Sequence, residues 1–226
     1  MTSDDKYPPC KVLEDIFKTG EVVMPSGERQ RSVAGISPKH SWALYDLVLK
    51  NRPETVIEIG MAQGVSTLSI LSALAQTGGK LISIDPYIGA GWHRAREAAL
   101  EGVRRAGYEK YHEYIDALSI PTLEDMAEEG SLIDFAYIDG DHSYEAALGD
   151  AKGADRILNP EGILGFNDVG KIEVYKAMKK VVLPSRYAEV DAGLNPDYSG
   201  RNALIKAGRK LLGRGREDRY FRKLSP

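Results

Sequence analysis

Two short runs of this chain gather side chains able to hold a cation or move a proton. Asp139, Asp141 and His142 fall within Ile138-Asp-Gly-Asp-His-Ser-Tyr144, and Asn167-Asp168 follows a later apolar run. Carboxylates and an amide oxygen, with water completing the shell, suit Mg²⁺ or another hard ion such as Ca²⁺ or Mn²⁺ better than zinc. Asp139, Asn167 and Asp168 are the candidate ligands. A hydroxyl beside a bound cation has a lowered pKa, so a base of modest strength can take its proton. Asp141 and His142 are both candidates for that base, and histidine has the better intrinsic pKa near neutrality. The alternative is that these acids only cap helices that follow strands.

A second constellation lies earlier, in Thr55-Val-Ile-Glu-Ile-Gly-Met-Ala-Gln-Gly64 and Ser83-Ile-Asp85. Glycines after an apolar strand let backbone approach a ligand closely. The spacing Gly60 to Gly64 is not the Gly-x-Gly-x-x-Gly of dinucleotide enzymes, and Glu58 would repel a pyrophosphate. A cationic or neutral cofactor tolerates that carboxylate. Asp85 ends the next apolar run, where an acid can grip a ribose diol.

The elements that must position these groups alternate. Strands are expected at 55–60, 80–85, 111–115, 132–139 and 163–166, and helices at 65–76, 94–106, 122–129 and 144–158. Such βαβ alternation implies a mostly parallel sheet covered on both faces, with the strands' carboxyl ends facing one crevice. A helix over 10–18, a loop over 21–35 and a helix opened by Ser37-Pro38 precede it. After a helix at 172–182, two segments, 187–190 and 202–206, are expected to pair as an antiparallel hairpin. The predicted organisation is a helical and loop extension over 1–36, a main domain over 37–208 and a basic tail over 209–226. That tail, broken by Gly213 and Gly215, reads as a frayed, solvated end rather than a membrane contact.

Composition narrows the class. The chain has 226 residues, 42% hydrophobic and 28% charged, as expected of a globular protein with a sizeable core. A net charge of −3 gives no reason to expect nucleic acid as a partner. The single cysteine, Cys10, excludes an internal disulfide framework and reads as a bystander thiol in a reducing compartment. No signal peptide and no membrane span are visible, so a cytoplasmic location is expected.

On these residues the chain resembles the class I S-adenosylmethionine-dependent methyltransferases from Ser37 to Lys206, with Val56-Ile-Glu-Ile-Gly60 as their first motif. The resemblance implies a Rossmann-like α/β fold, doubly wound, with a mostly parallel seven-stranded sheet whose last strand is antiparallel. It implies that Glu58, Gly60 and Gly64 surround the methionine part of the cofactor, with Ser66 among the contacts, and that Asp85 holds the ribose. Asp116 and Ala117, in Ile115-Asp-Ala-Leu-Ser119, would border the adenine. The Asp139–Tyr144 block is similar to the metal-dependent small-molecule O-methyltransferases of catechol and caffeoyl-coenzyme A type and their bacterial natural-product relatives. In that likeness Asp139 touches both cofactor and metal, Asn167 and Asp168 complete the metal set, and the base stands two or three positions after Asp139. The pair here runs Asn then Asp, where the catechol type runs Asp then Asn. The implied partner is a hydroxylated small molecule, and a homo-oligomer stays open. Rival readings are antibiotic-type hydroxylation on the same fold, a NAD-dependent oxidoreductase and a non-catalytic cofactor-binding module. His93 and Trp92 are expected on a loop over the crevice.

Overall fold

The structure is a computed structural model that describes residues 6–89, 92–198 and 202–225. Seven strands form one sheet: β3 (Thr55–Ile59), β4 (Lys80–Ile84), β5 (His112–Ile115), β6 (Ile133–Ile138), β7 (Leu158–Phe166), β8 (Tyr187–Val190) and β9 (Arg219–Lys223). Their order is β5-β4-β3-β6-β7-β9-β8. The pairs β3–β4, β4–β5 and β6–β7 are parallel, whereas β9 runs antiparallel to both β7 and β8. This is the expected mostly parallel sheet with its last strand reversed. The chain divides into two compact units, Met1–Leu118 and Ser119–Pro226.

In the first unit, α1 (Lys11–Thr19) buries Val12, Leu13 and Ile16 and stops at Gly20, whose φ of 70° a side chain would resist. The segment read as a loop instead holds a hairpin of β1 (Glu21–Val23) and β2 (Arg29–Arg31). Its strands are too short and polar to show alternation. The helix α2 (Pro38–Asn51) starts as expected, with the Ser37 hydroxyl accepting from His40 N–H at 3.3 Å. The helix α3 (Val65–Thr77) buries every residue from Val65 to Leu74, so it shows little amphipathic period. The helix α4 (Trp92–Ala106) takes in Trp92, which the sequence places on a loop; the side chain of His93 lies outside the described residues.

In the second unit, α5 (Ser119–Glu128), α6 (Tyr144–Ile157) and α7 (Ile172–Val181) alternate with β6, β7 and β8. The carboxyl-terminal part departs from expectation. Residues 203–211 form a helix, α8 (Ala203–Leu211), and the strand partner of β8 is β9, inside the presumed frayed tail. The charges that made 219–223 look solvated are satisfied at the ends of the strand. Arg219 pairs with Glu189 at 2.6 Å, and Lys223 donates to the carbonyls of Asp155 and Leu158 at 2.7 and 2.8 Å. Between them Tyr220 and Phe221 are buried. Among the described residues no helix is long and apolar enough to cross a membrane.

Candidate active site

In the first unit the glycine turn is built on Asp85. Gly60 leaves β3 at φ 86°, and its N–H donates to the Ile84 carbonyl at 3.0 Å. The next two N–H groups, of Met61 and Ala62, donate to Asp85 Oδ2 at 2.9 and 3.0 Å. Tyr87 N–H donates to Oδ1 at 2.8 Å, and its hydroxyl reaches back to the Ala62 carbonyl at 2.7 Å. Burial holds the Tyr87 hydroxyl far above its usual pKa, so it stays a donor. Gly64 caps α3 at φ 80°, and a Cβ there would lie 3.1 Å from the Ala99 backbone. Asp85 therefore organises the turn, and its remaining lone pairs are what it can offer a ribose.

Glu58 is fully buried beneath this turn. Its Oε2 accepts from Thr67 Oγ1 and Ser83 Oγ, each at 2.7 Å, and Ser83 Oγ lies 3.0 Å from His112 Nε2. Since Ser83 donates to Glu58, the imidazole is the donor to Ser83. Burial depresses the His112 pKa to about 4, which keeps the ring neutral and the chain of donors intact. Ser66 is buried in the first turn of α3. Asp116 is exposed and pairs with Arg96 at 2.7 Å, next to the half-buried Ala117. The sequence reading missed Gln63, whose side-chain oxygen accepts from Val33 and Ala34 N–H at 2.8 and 3.1 Å and fastens the segment before α2 to the turn. A polar side chain between two turn glycines was the available signal.

In the second unit, Asp139, His142 and Asp168 each place a ligand atom within 4.8 Å of the others. The parallel pairing of β6 with β7, which sets Ile138 opposite Phe166, brings their following residues together. His142 Nε2 lies 3.9 Å from Asp139 Oδ1 and 3.2 Å from Asp168 Oδ2. The nearby carboxylates, Asp139 and then Asp168, favour the charged imidazole and raise its pKa to about 9. The same contact, with Lys171 Nζ 2.6 Å away, lowers Asp168 to about 2. Burial raises Asp139 despite His142. Asp168 adopts φ 54°, a left-handed conformation that turns the chain sharply after β7.

The other two sequence candidates make contacts of their own. Asp141 Oδ1 accepts from Ser143 N–H at 2.7 Å, an interaction that lowers its pKa and shapes the turn before α6. Asn167 turns its amide nitrogen inward, donating to Tyr137 Oη at 3.1 Å and Asp218 Oδ1 at 3.2 Å. Only its side-chain oxygen is left for a cation. Lys171, at salt-bridge distance from Asp168, was not anticipated.

A parallel sheet with a glycine turn after β3 and an acid after β4 defines an α/β enzyme of the cofactor-binding, doubly wound kind. Residues 57–169 match a family model described as a methyltransferase domain. The chain belongs to that family and is an S-adenosylmethionine-dependent methyltransferase. Solved structures with a similar fold include an O-methyltransferase from Bacillus cereus in complex with S-adenosylhomocysteine. It has 16% identity and a TM-score of 0.67, over 96% of this chain and 92% of that one. A methyltransferase of Podospora anserina, also bound to S-adenosylhomocysteine, shows 12% identity and a TM-score of 0.65 over 98% and 91%. The O-methyltransferase TomG of Streptomyces achromogenes, involved in tomaymycin synthesis, shows 15% identity and a TM-score of 0.53 over 87% and 84%. At such identities the likeness is one of fold.

Proposed function

We propose that this methyltransferase transfers the methyl group of S-adenosylmethionine to a hydroxyl of a small molecule, assisted by a divalent cation. The observation that carries the reading is the convergence of Asp139, His142 and Asp168. Two carboxylates at that spacing fit a divalent ion of the Mg²⁺ or Mn²⁺ kind, with the imidazole beside it left as the base. Asp139 and Asp168 would hold the ion, with the Asn167 oxygen as the further donor. A bound cation there lowers the pKa of a hydroxyl brought to it.

The residues divide the remaining work. The turn around Gly60 and Gly64, fixed by Asp85, seats the sulfonium cofactor, whose ribose takes the free lone pairs of Asp85. His142 receives the hydroxyl proton at Nε2 as the new C–O bond forms and the C–S bond breaks. With both carboxylates favouring its charged form, His142 is a poor base at neutrality. A cation held by Asp139 and Asp168 would offset their charge beside the ring and favour its neutral, proton-accepting form. The O-methyltransferase names of two fold neighbours support the choice of oxygen as acceptor.

The test is methyl transfer from labelled S-adenosylmethionine to a panel of hydroxylated compounds, with chelator and then with Mg²⁺ or Mn²⁺. Labelled ether product should vanish in chelator and return with metal. Asp139→Ala should mimic chelation, and His142→Ala should lower the rate by about 10²–10⁴-fold. Equal turnover in chelator and metal would remove the cation from the reading. An oxygenated, unlabelled product would point to hydroxylation on the same fold.

A further inference from the structure

The helix α8 wears its apolar side chains outward. Leu204 is 84% exposed and Leu211 88%, with Ile205 and Leu212 at 43% and 51%. At 3.6 residues per turn, positions 204, 205, 208, 211 and 212 share one arc of about 120°, with Arg209 at its flank and Lys206 and Lys210 opposite. From Asn202 to Arg216 the sequence carries five bases (Lys206, Arg209, Lys210, Arg214 and Arg216) and no acid. Tyr175 donates its hydroxyl to the Leu212 carbonyl at 2.8 Å, which ties the end of α8 to α7. There Lys176, Lys179 and Lys180 line an open cavity of about 480 Å³ with Tyr144 and Tyr175. Glu173 also lines it, paired with Lys176 at 3.1 Å.

We infer that α8 and the lysine-lined face of α7 form a docking surface for an anionic lipid bilayer. Leu204 and Leu211 enter the acyl boundary, the bases of α8 lie at headgroup level, and Lys179 and Lys180 meet lipid phosphate. An amphipathic helix with leucines on one side and bases on the other binds interfaces through both terms, apolar burial and attraction to anionic lipid. Charge selects this occupant. A second copy docking through the same face would set like charges against each other. Nucleic acid would match the bases but leave the leucines in water. The inference is independent of the methyl acceptor.

The experiment is sedimentation of the full chain with vesicles of phosphatidylcholine alone or mixed with phosphatidylglycerol. The protein should sediment with the mixed vesicles only and be released by salt. Leu204→Ser with Leu211→Ser should weaken the apparent affinity by about tenfold or more, as should Lys179→Gln with Lys180→Gln. These positions are exposed, so both variants should bind S-adenosylhomocysteine as the parent does. Failure to sediment, equal binding to neutral vesicles, or parent-like binding by the leucine variant would overturn the proposal. So would a dimer, seen by light scattering without lipid, that the leucine variant abolishes, or salt-sensitive oligonucleotide binding in place of vesicle binding.

Discussion

Asp85 accepts three backbone N–H groups, two from the glycine turn and one from its own loop. One carboxylate thus shapes the glycine turn, and in the proposed function it also holds the ribose. Asp85→Asn keeps the size but loses the charge, and hydrogen bonds to charged groups contribute about 1.5–3 kcal/mol each. Titration calorimetry should show S-adenosylhomocysteine bound about ten- to a hundredfold more weakly by this variant; unchanged affinity would free Asp85 from the ribose role. His112 supplies a second prediction. Its pKa in the fold, about 4, lies below the ordinary 6.5, so the fold disfavours its protonation. The stability it contributes is complete above pH 6.5 and is lost as pH falls toward 4, amounting to about 3 kcal/mol. Thermal unfolding of His112→Gln should therefore vary less across that window than that of the parent. Residue types and spacing made Asp85, Asp139 and Asp168 legible as candidates. They could not show that His142 stands between two carboxylates, nor that Asn167 turns its amide toward Asp218, because those contacts depend on the pairing of distant strands.

Among the elements, the alternating strands and helices from α2 to α7 were readable because each is punctuated by its own signal, such as Ser37-Pro38 or Gly78. The segment after β8 was not. Asn202 reads equally as a strand start or a helix cap, and here its side chain accepts from Ile205 N–H at 2.9 Å. The true strand, β9, hides among arginines. It fits because Gly165 on β7 carries no side chain: a Cβ there would stand 2.8 Å from the Tyr220 ring. The space admits Tyr220 beside Tyr137, their rings 15° from parallel at 6.3 Å, with both hydroxyls directed at buried Asp218. Gly165→Ala should lower stability by about 1–3 kcal/mol through overpacking. Chemical denaturation would check this, and an unchanged midpoint would show that β9 can shift without penalty.

For the whole molecule, cofactor binding should report on the folded population. A ligand that binds only the native state raises the unfolding temperature with its concentration. S-adenosylhomocysteine at about 100 times its dissociation constant should add about 2.7 kcal/mol. Differential scanning fluorimetry showing no shift at saturating ligand would contradict the family's cofactor for this chain. The order of the strands carries a further consequence, for truncation rather than catalysis. β8 pairs with β9 alone, while β9 also pairs with β7. A chain cut before residue 219 lacks the strand that separates β8 from β7, and the edges of both are then open to other chains. Such a truncated chain should aggregate and be readily proteolysed, whereas a chain that keeps Arg219–Lys223 should close the sheet.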